Sequence, residues 1–490
     1  MEANKIYQFQ STLFQLVLAI FVGALVGMTI AYATPAITIF ALLSIVMVFL
    51  VIRRPEIGVL GVIILTATLF DWSANIGISI GIGHIYLTDI ILLALLSVIA
   101  VKALMQPGFM IVRTPLDIVL LLFVGVAFLS TAISIFKGTM TLQDVLGKAR
   151  DIANYMFFFV VTNLIRKDKQ INLLSKGMIA LAAAVSLVMI AQYLLGTTIP
   201  VLPGRVEVLI TEGATYSSVT RIIPPGYSLV FVGFIVLSTM MFFRSSGLRN
   251  SMQRLAFVLT AIGVLLTFKR HFWAASILLL MVMVYLSRRK EMNRMIVGGV
   301  VTLALVSIGT YILLNYTGEI GPNLIAGSFG RLTSLANPRT YSDPNSSLRW
   351  RDFEYQYAAP QIIAHPIFGM GLDAHYRPFV PGRDYAGYDL TNFIHNGFLA
   401  VLVFSGVLGL IAILWLLALF FSRGFKYWRQ IPKPTHQVYV LGFTLAMLGM
   451  LIGTWVEPMI IESRWTVLIA VMLGINEVLI SSIPKESLAK

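Results

Sequence analysis

Apolar runs of roughly 17 to 25 residues, parted by short polar breaks, recur along almost the whole chain. A helix of that length crosses about 30 Å of hydrocarbon. In lipid every backbone amide must be satisfied inside its own segment, so such runs predict helices. The pattern places membrane helices at 13–33, 35–52, 57–72, 85–104, 116–136, 150–165, 174–196, 222–243, 254–268, 272–286, 294–314, 395–421, 437–456 and 463–482. Those at 57–72, 150–165, 254–268 and 272–286 stand near the lower length limit. The first ends in Ala31-Tyr32-Ala33, like a signal-peptidase site, but its apolar core is too long for a signal peptide. One long hydrophilic segment interrupts the series. The chain therefore divides into a helical part at 1–314, a large external loop at 315–394 with an interfacial helix, and C-terminal membrane helices at 395–490.

Composition agrees with this reading. Of 490 residues, 58% are hydrophobic and 12% charged, which excludes a water-soluble fold. There is no P-loop and no stretch fit for a cytoplasmic ATPase or kinase module. With no cysteine, disulfides, thiolate metal sites and cysteine nucleophiles are excluded together. Alternate loops carry Arg53-Arg54, Lys102 and Arg113, Arg166-Lys167-Lys169, Arg244 with Arg249 and Arg254, Arg288-Arg289-Lys290, and Arg423 to Lys433. The positive-inside bias then sets both termini in the cytoplasm. Most of the +14 net charge falls on that side, which removes any case for nucleic-acid binding. The external basic residues are mostly arginine, whose planar fork suits phosphate.

Chemistry collects on the external side. Ser346 to Tyr357 reads as a serine-capped helix with Trp350, Phe353 and Tyr357 on one side and Arg349 and Arg351 beside them. It fits an interfacial helix with aromatics at headgroup level, and equally a surface for a sugar pyrophosphate. His84, His271, His365, His375 and His395 fall outside and His436 inside. The spacings of His365, His375 and His395 match no standard metal-ligand pattern, so no metal site is expected. Lys269-Arg270-His271 crowds three basic residues into one turn between apolar segments, and charge at membrane depth is functional by default. Snorkelling to the headgroups is the plain alternative. Arg221 stands where the loop from Gly196 to Thr220 re-enters the membrane, ahead of Pro224-Pro225-Gly226.

Ala364-His365-Pro366-Ile367-Phe368-Gly369-Met370-Gly371, followed by His395-Asn396-Gly397-Phe398-Leu399 and a helix with Gly406 and Gly409, resembles the bacterial O-antigen ligase and polymerase family of membrane glycosyltransferases. The likeness is good over about 345–410 and weaker back to Arg221 and Arg270. It departs where the family commonly has Ser-Arg before the helix that here begins at Phe272, since this chain reads Lys269-Arg270-His271.

The resemblance implies an all-α polytopic, GT-C-like membrane fold of about 12–14 helices, acting on the outer face of the cytoplasmic (inner) membrane. The implied reaction moves a glycan from a polyprenyl (undecaprenyl) pyrophosphate donor to a hydroxyl of a lipid or glycan acceptor, without nucleotide, cofactor or metal and with inversion. An O-antigen ligase is the first expectation. A polymerase of the same family, or a flippase for lipid-linked oligosaccharides, is the alternative; transporters place ionisable groups near the midplane, and only Glu477 falls deep in a helix. The pyrophosphate clamp is expected from Arg221, Arg270, Arg349 and Arg351, with Lys269, His271, Trp350, His365 and Asn396 as further contacts. His395 is expected to be the general base, with Asp389, Glu354 and His375 as its substitutes.

Overall fold

The computed structural model describes residues 49, 51–69, 77–79, 84–211, 214–243, 251–298, 311, 315, 320–333, 347–381 and 390–484. The chain runs through α1 (Pro55–Ala67), a short pairing of β1 (Gly77–Ser79) with β2 (His84–Tyr86), α2 (Leu87–Met105), α3 (Asp117–Phe136), α4 (Leu142–Ala153), α5 (Phe157–Leu164) and α6 (Asp168–Leu195). The antiparallel hairpin of β3 (Arg205–Thr211) and β4 (Ala214–Ile223) follows, then α7 (Tyr227–Phe243), α8 (Ser251–Leu266) and α9 (Arg270–Leu286). Next come α10 (Ile320–Thr333), α11 (Ser347–Ala364), α12 (Gly397–Tyr427), α13 (Pro434–Gly453) and α14 (Ser463–Ile480).

Among the described residues α2, α3, α6, α12, α13 and α14 are long and apolar enough to cross a membrane, and α1, α7, α8 and α9 are shorter apolar helices. The protein is an all-α polytopic membrane protein with little sheet. Its centre is α13 and α14, the most buried spans, packed against α5, α7 and α9. Ile118 and Leu122 on α3 and Ile411 and Trp415 on α12 stay exposed, an apolar surface of the kind that faces lipid.

Most expected helices are present with ends moved by a few residues. The exceptions have local causes. The helix expected at 222–243 begins at Tyr227, because Ile222 and Ile223 finish β4 and the prolines at 224 and 225 supply no amide donor. The span expected at 150–165 is two helices, amphipathic α4 and apolar α5, joined by a 3₁₀ turn at Asn154–Met156. α4 starts at a capping box, in which the Thr141 hydroxyl accepts from the Asp144 amide and the Asp144 carboxylate accepts from the Thr141 amide. The expected helices 13–33 and 35–52 lie almost wholly outside the described residues, as does most of 294–314.

α12 is broken at Gly406, whose φ is 63°. A break inside a membrane helix frees backbone groups that must find partners in the protein. Here the turn after α11 supplies them: Met370 N donates to Val403 O at 2.8 Å, Gly371 N to Phe404 O at 3.0 Å, and Val407 N to Pro366 O at 2.9 Å. Ser130 Oγ from α3 also donates to Phe404 O, at 2.7 Å. The two backbones lie so close that a Cβ on Gly369 would stand 2.6 Å from Val403 O, and one on Gly406 2.2 Å from Ile367 O. The His-Pro-apolar-apolar-Gly-apolar-Gly stretch is thus the piece that seals the broken helix and anchors α11 to it.

Candidate active site

α11 carries the centre of the site. Glu354, one turn from Trp350, is only 2% exposed, and three donors surround its carboxylate. Its Oε1 accepts from His395 Nδ1 at 2.7 Å and from Trp350 Nε1 at 3.0 Å, while Oε2 accepts from the His395 backbone amide at 3.0 Å. An ionised carboxylate is acceptor-only, so this contact places the proton on Nδ1 and leaves Nε2 as the basic nitrogen. The imidazole is 34% exposed and has the Phe393 ring edge-on against it at 4.9 Å. Asn396 acts at the start of α12: its Oδ1 accepts from the amides of Phe398 and Leu399 at 3.0 and 3.1 Å, and its Nδ2 donates to Tyr355 Oη at 3.0 Å. This capping holds the residue next to His395 rigid.

A second group lies where the α8–α9 turn meets the α13–α14 loop. Lys269 is buried and bonded to Glu457, with its ammonium 4.0 Å from the centre of the Tyr227 ring. Tyr227 Oη donates to Glu457 Oε2 at 2.9 Å, and His271 Nε2 lies 3.9 Å from the same oxygen. Burial alone would push the Glu457 carboxyl up. Lys269 and His271, with hydrogen bonds from Lys269 and Tyr227, reverse this and bring it down to about 2.

The arginines gather around these groups unequally. Arg221 on β4 donates to Glu207 Oε1 at 3.0 Å and to Thr267 O at 3.3 Å, beside the turn that leads to Lys269. Arg351 on α11 is half-buried, and the loss of solvent pushes its guanidinium down; it lies within electrostatic range of Glu354, Glu457 and His271. Among the described residues its Nε has no hydrogen-bond partner, and neither has His271 Nε2. Arg349 is 53% exposed and pairs with Asp352 at 3.8 Å. Arg270 opens α9 and lies within electrostatic range of Arg331 on α10. Burial, then Arg221 and Arg270, push Arg331 down to about 10.

Of the expected residues, the fold brings together Arg221, Lys269, Arg270, His271 and Arg351, and it links Arg351 to His395 through α11. Arg349 turns outward, and His365 is exposed at the end of α11. Trp350 is turned inward onto Glu354, and Arg377 lies over its ring at 5.4 Å and over that of Phe353 at 5.2 Å. Asp389 lies outside the described residues, and His375 Nδ1 sits 2.5 Å from Thr391 Oγ1. Glu457, Tyr227 and Arg331 were not expected. A lone carboxylate in the short turn Trp455-Val456-Glu457-Pro458 between two apolar runs was the available signal for Glu457.

Residues 255–414 match the family model described as O-Antigen ligase. Over that segment the chain is similar to the O-antigen ligase family. No curated protein matches the chain. The matched segment takes in the Lys269-Arg270-His271 turn, Arg351, Glu354, His395 and the glycine-sealed break of α12. Arg221, Tyr227 and Glu457 lie outside the matched residues, so the fold completes the domain's cationic cluster from both flanks. The chain is thus a multi-pass membrane protein with an O-antigen-ligase-like segment at 255–414.

Proposed function

We propose that this protein is an O-antigen ligase that transfers a glycan from a polyprenyl (undecaprenyl) pyrophosphate donor to an acceptor hydroxyl on the outer face of the cytoplasmic membrane. One observation carries the reading: α11 holds His395 through Glu354 at 2.7 Å and, one turn away, carries Arg351 within electrostatic range of His271 and Glu457. A base held beside a cationic cluster is what displacement of a pyrophosphate requires. His395 Nε2 takes the acceptor's hydroxyl proton as that oxygen bonds to the anomeric carbon. The bond from that carbon to the pyrophosphate oxygen breaks, and its electron pair leaves on the phosphate. Arg221, Arg270 and Arg351, supported by Lys269, neutralise the departing charge. A single displacement inverts the anomeric carbon, and no step calls for a metal ion.

The test is reconstitution in liposomes with a labelled polyprenyl pyrophosphate glycan and a lipid-linked acceptor sugar. Transfer to the acceptor with inverted stereochemistry is the expected result. Growth of the donor-linked chain alone would make the protein a polymerase, and translocation without transfer would overturn the enzymatic reading.

A further inference from the structure

Beside the Glu354–His395 pair lies a cavity of about 230 Å³ that the mechanism does not use. It is framed by α4, by the stretches around 373 and 390–394, and by the loop ahead of α14. Lys148, Asp373 and Asn392 give it polar walls, and Phe393 and Pro458 apolar ones. Asn392 Nδ2 donates to Asp373 Oδ1 at 2.9 Å, which fixes both side chains. Asp373 itself sits at φ 64° and Lys148 is tied to Asp151 at 3.5 Å, so the polar walls are held in place. The aromatic wall is shared with the site, since the Phe393 ring contacts the His395 imidazole.

We infer that this cavity is the subsite for the acceptor's sugar ring, a proposal that rests on the transferase reading above. The volume falls below the roughly 300–1,000 Å³ of pockets that enclose drug-sized ligands, which suits one ring and not a lipid tail. A sugar hydroxyl both donates and accepts, and the walls offer an ammonium donor, a carboxylate acceptor and an amide that does both. The apolar face of a sugar ring finds Phe393. The lining contains no arginine and does contain a carboxylate, which disfavours a pyrophosphate. The donor's phosphates belong with Arg221, Arg270 and Arg351, and the acceptor approaches His395 past Phe393.

The experiment uses the full chain in nanodiscs with Asp373→Asn and Asn392→Ala. Asparagine tolerates the left-handed conformation at 373, so the first variant keeps the backbone while removing the charge. Each variant should raise the acceptor KM roughly tenfold and leave the donor KM unchanged. In parallel, binding of the acceptor glycan alone is measured by saturation-transfer NMR, with weaker transfer to the variants expected. Unchanged acceptor KM and binding overturn the subsite while the transferase reading stands. A rise in donor KM assigns the cavity to the donor and also overturns the proposal. Acceptor binding that depends on Asp373 in a protein without transferase activity would uphold the subsite and sink the transferase reading.

Discussion

Glu354 and His395, 41 residues apart, are joined twice, once through the imidazole Nδ1 and once through the His395 backbone amide. The double contact fixes the ring's tautomer and its approach together. His395→Ala should lower transfer roughly 10²- to 10⁴-fold with folding intact, as for loss of a general base. Glu354→Gln keeps the shape but can present its amide NH₂ to Nδ1, so a large loss of kcat with little change in donor KM is expected. Steady-state kinetics on the purified variants decide this. Near-normal turnover in His395→Ala would remove it as the base.

The arginines should differ in importance as they differ in placement. Arg351→Ala should impair transfer severely, and Arg349→Ala mildly, because Arg351 is half-buried within electrostatic range of Glu457 and His271 while Arg349 is exposed. Arg270→Lys keeps charge but loses the forked donors, a weakening of about 1.5 to 3 kcal/mol in transition-state stabilisation. Comparison of kcat/KM across the three variants tests the order, and wild-type turnover in Arg270→Lys would reduce that residue to a topology determinant.

Glu457 links stability to acid. Its carboxyl titrates below the ordinary 4.5, near 2, so the native state favours its charged form. A depressed carboxylate stabilises the fold fully above its unfolded value, and that contribution is lost as pH falls from about 4.5 toward about 2. Glu457→Gln should be less stable at neutral pH, leaving Lys269 buried without its counter-charge, and its Tm should vary less across that acid window. Thermal unfolding in detergent from pH 2 to 7 measures both, and parallel curves for variant and wild type would contradict the assignment.

The sealed break of α12 tolerates no side chain. In Gly406→Ala the new Cβ would meet the Ile367 carbonyl, a backbone atom that cannot swing aside, at a residue with φ 63°. A loss of at least about 2 kcal/mol of stability is expected. Tm and transfer activity should fall together, whereas Gly125→Ala on α3, where a Cβ meets nothing, should leave both unchanged.

Because side chains alone are assigned to neutralise the pyrophosphate, transfer should survive chelation of divalent cations. Activity abolished by chelator and restored by magnesium or manganese would show that an ion takes part.

The helical, membrane-spanning character of this protein was legible in its sequence, because run length and lipid's exclusion of water act on each segment separately. The β3–β4 hairpin was not legible in that way. Its period-two alternation is short, and its apolar face is covered by packing of Leu209 and Val219 with Phe268 and Leu324 from distant parts of the chain. The Lys269-Arg270-His271 turn could be picked out as residue types in an unusual place, and His395 through the likeness of its surroundings to a family motif. Which partners they took could not, since Glu354 reaches His395, and Glu457 reaches Lys269 over 188 residues, only after the helices pack. Sequence decides where charge is placed against an apolar background; tertiary packing decides which charges meet, because a buried ion finds its counter-charge by proximity in space and not along the chain.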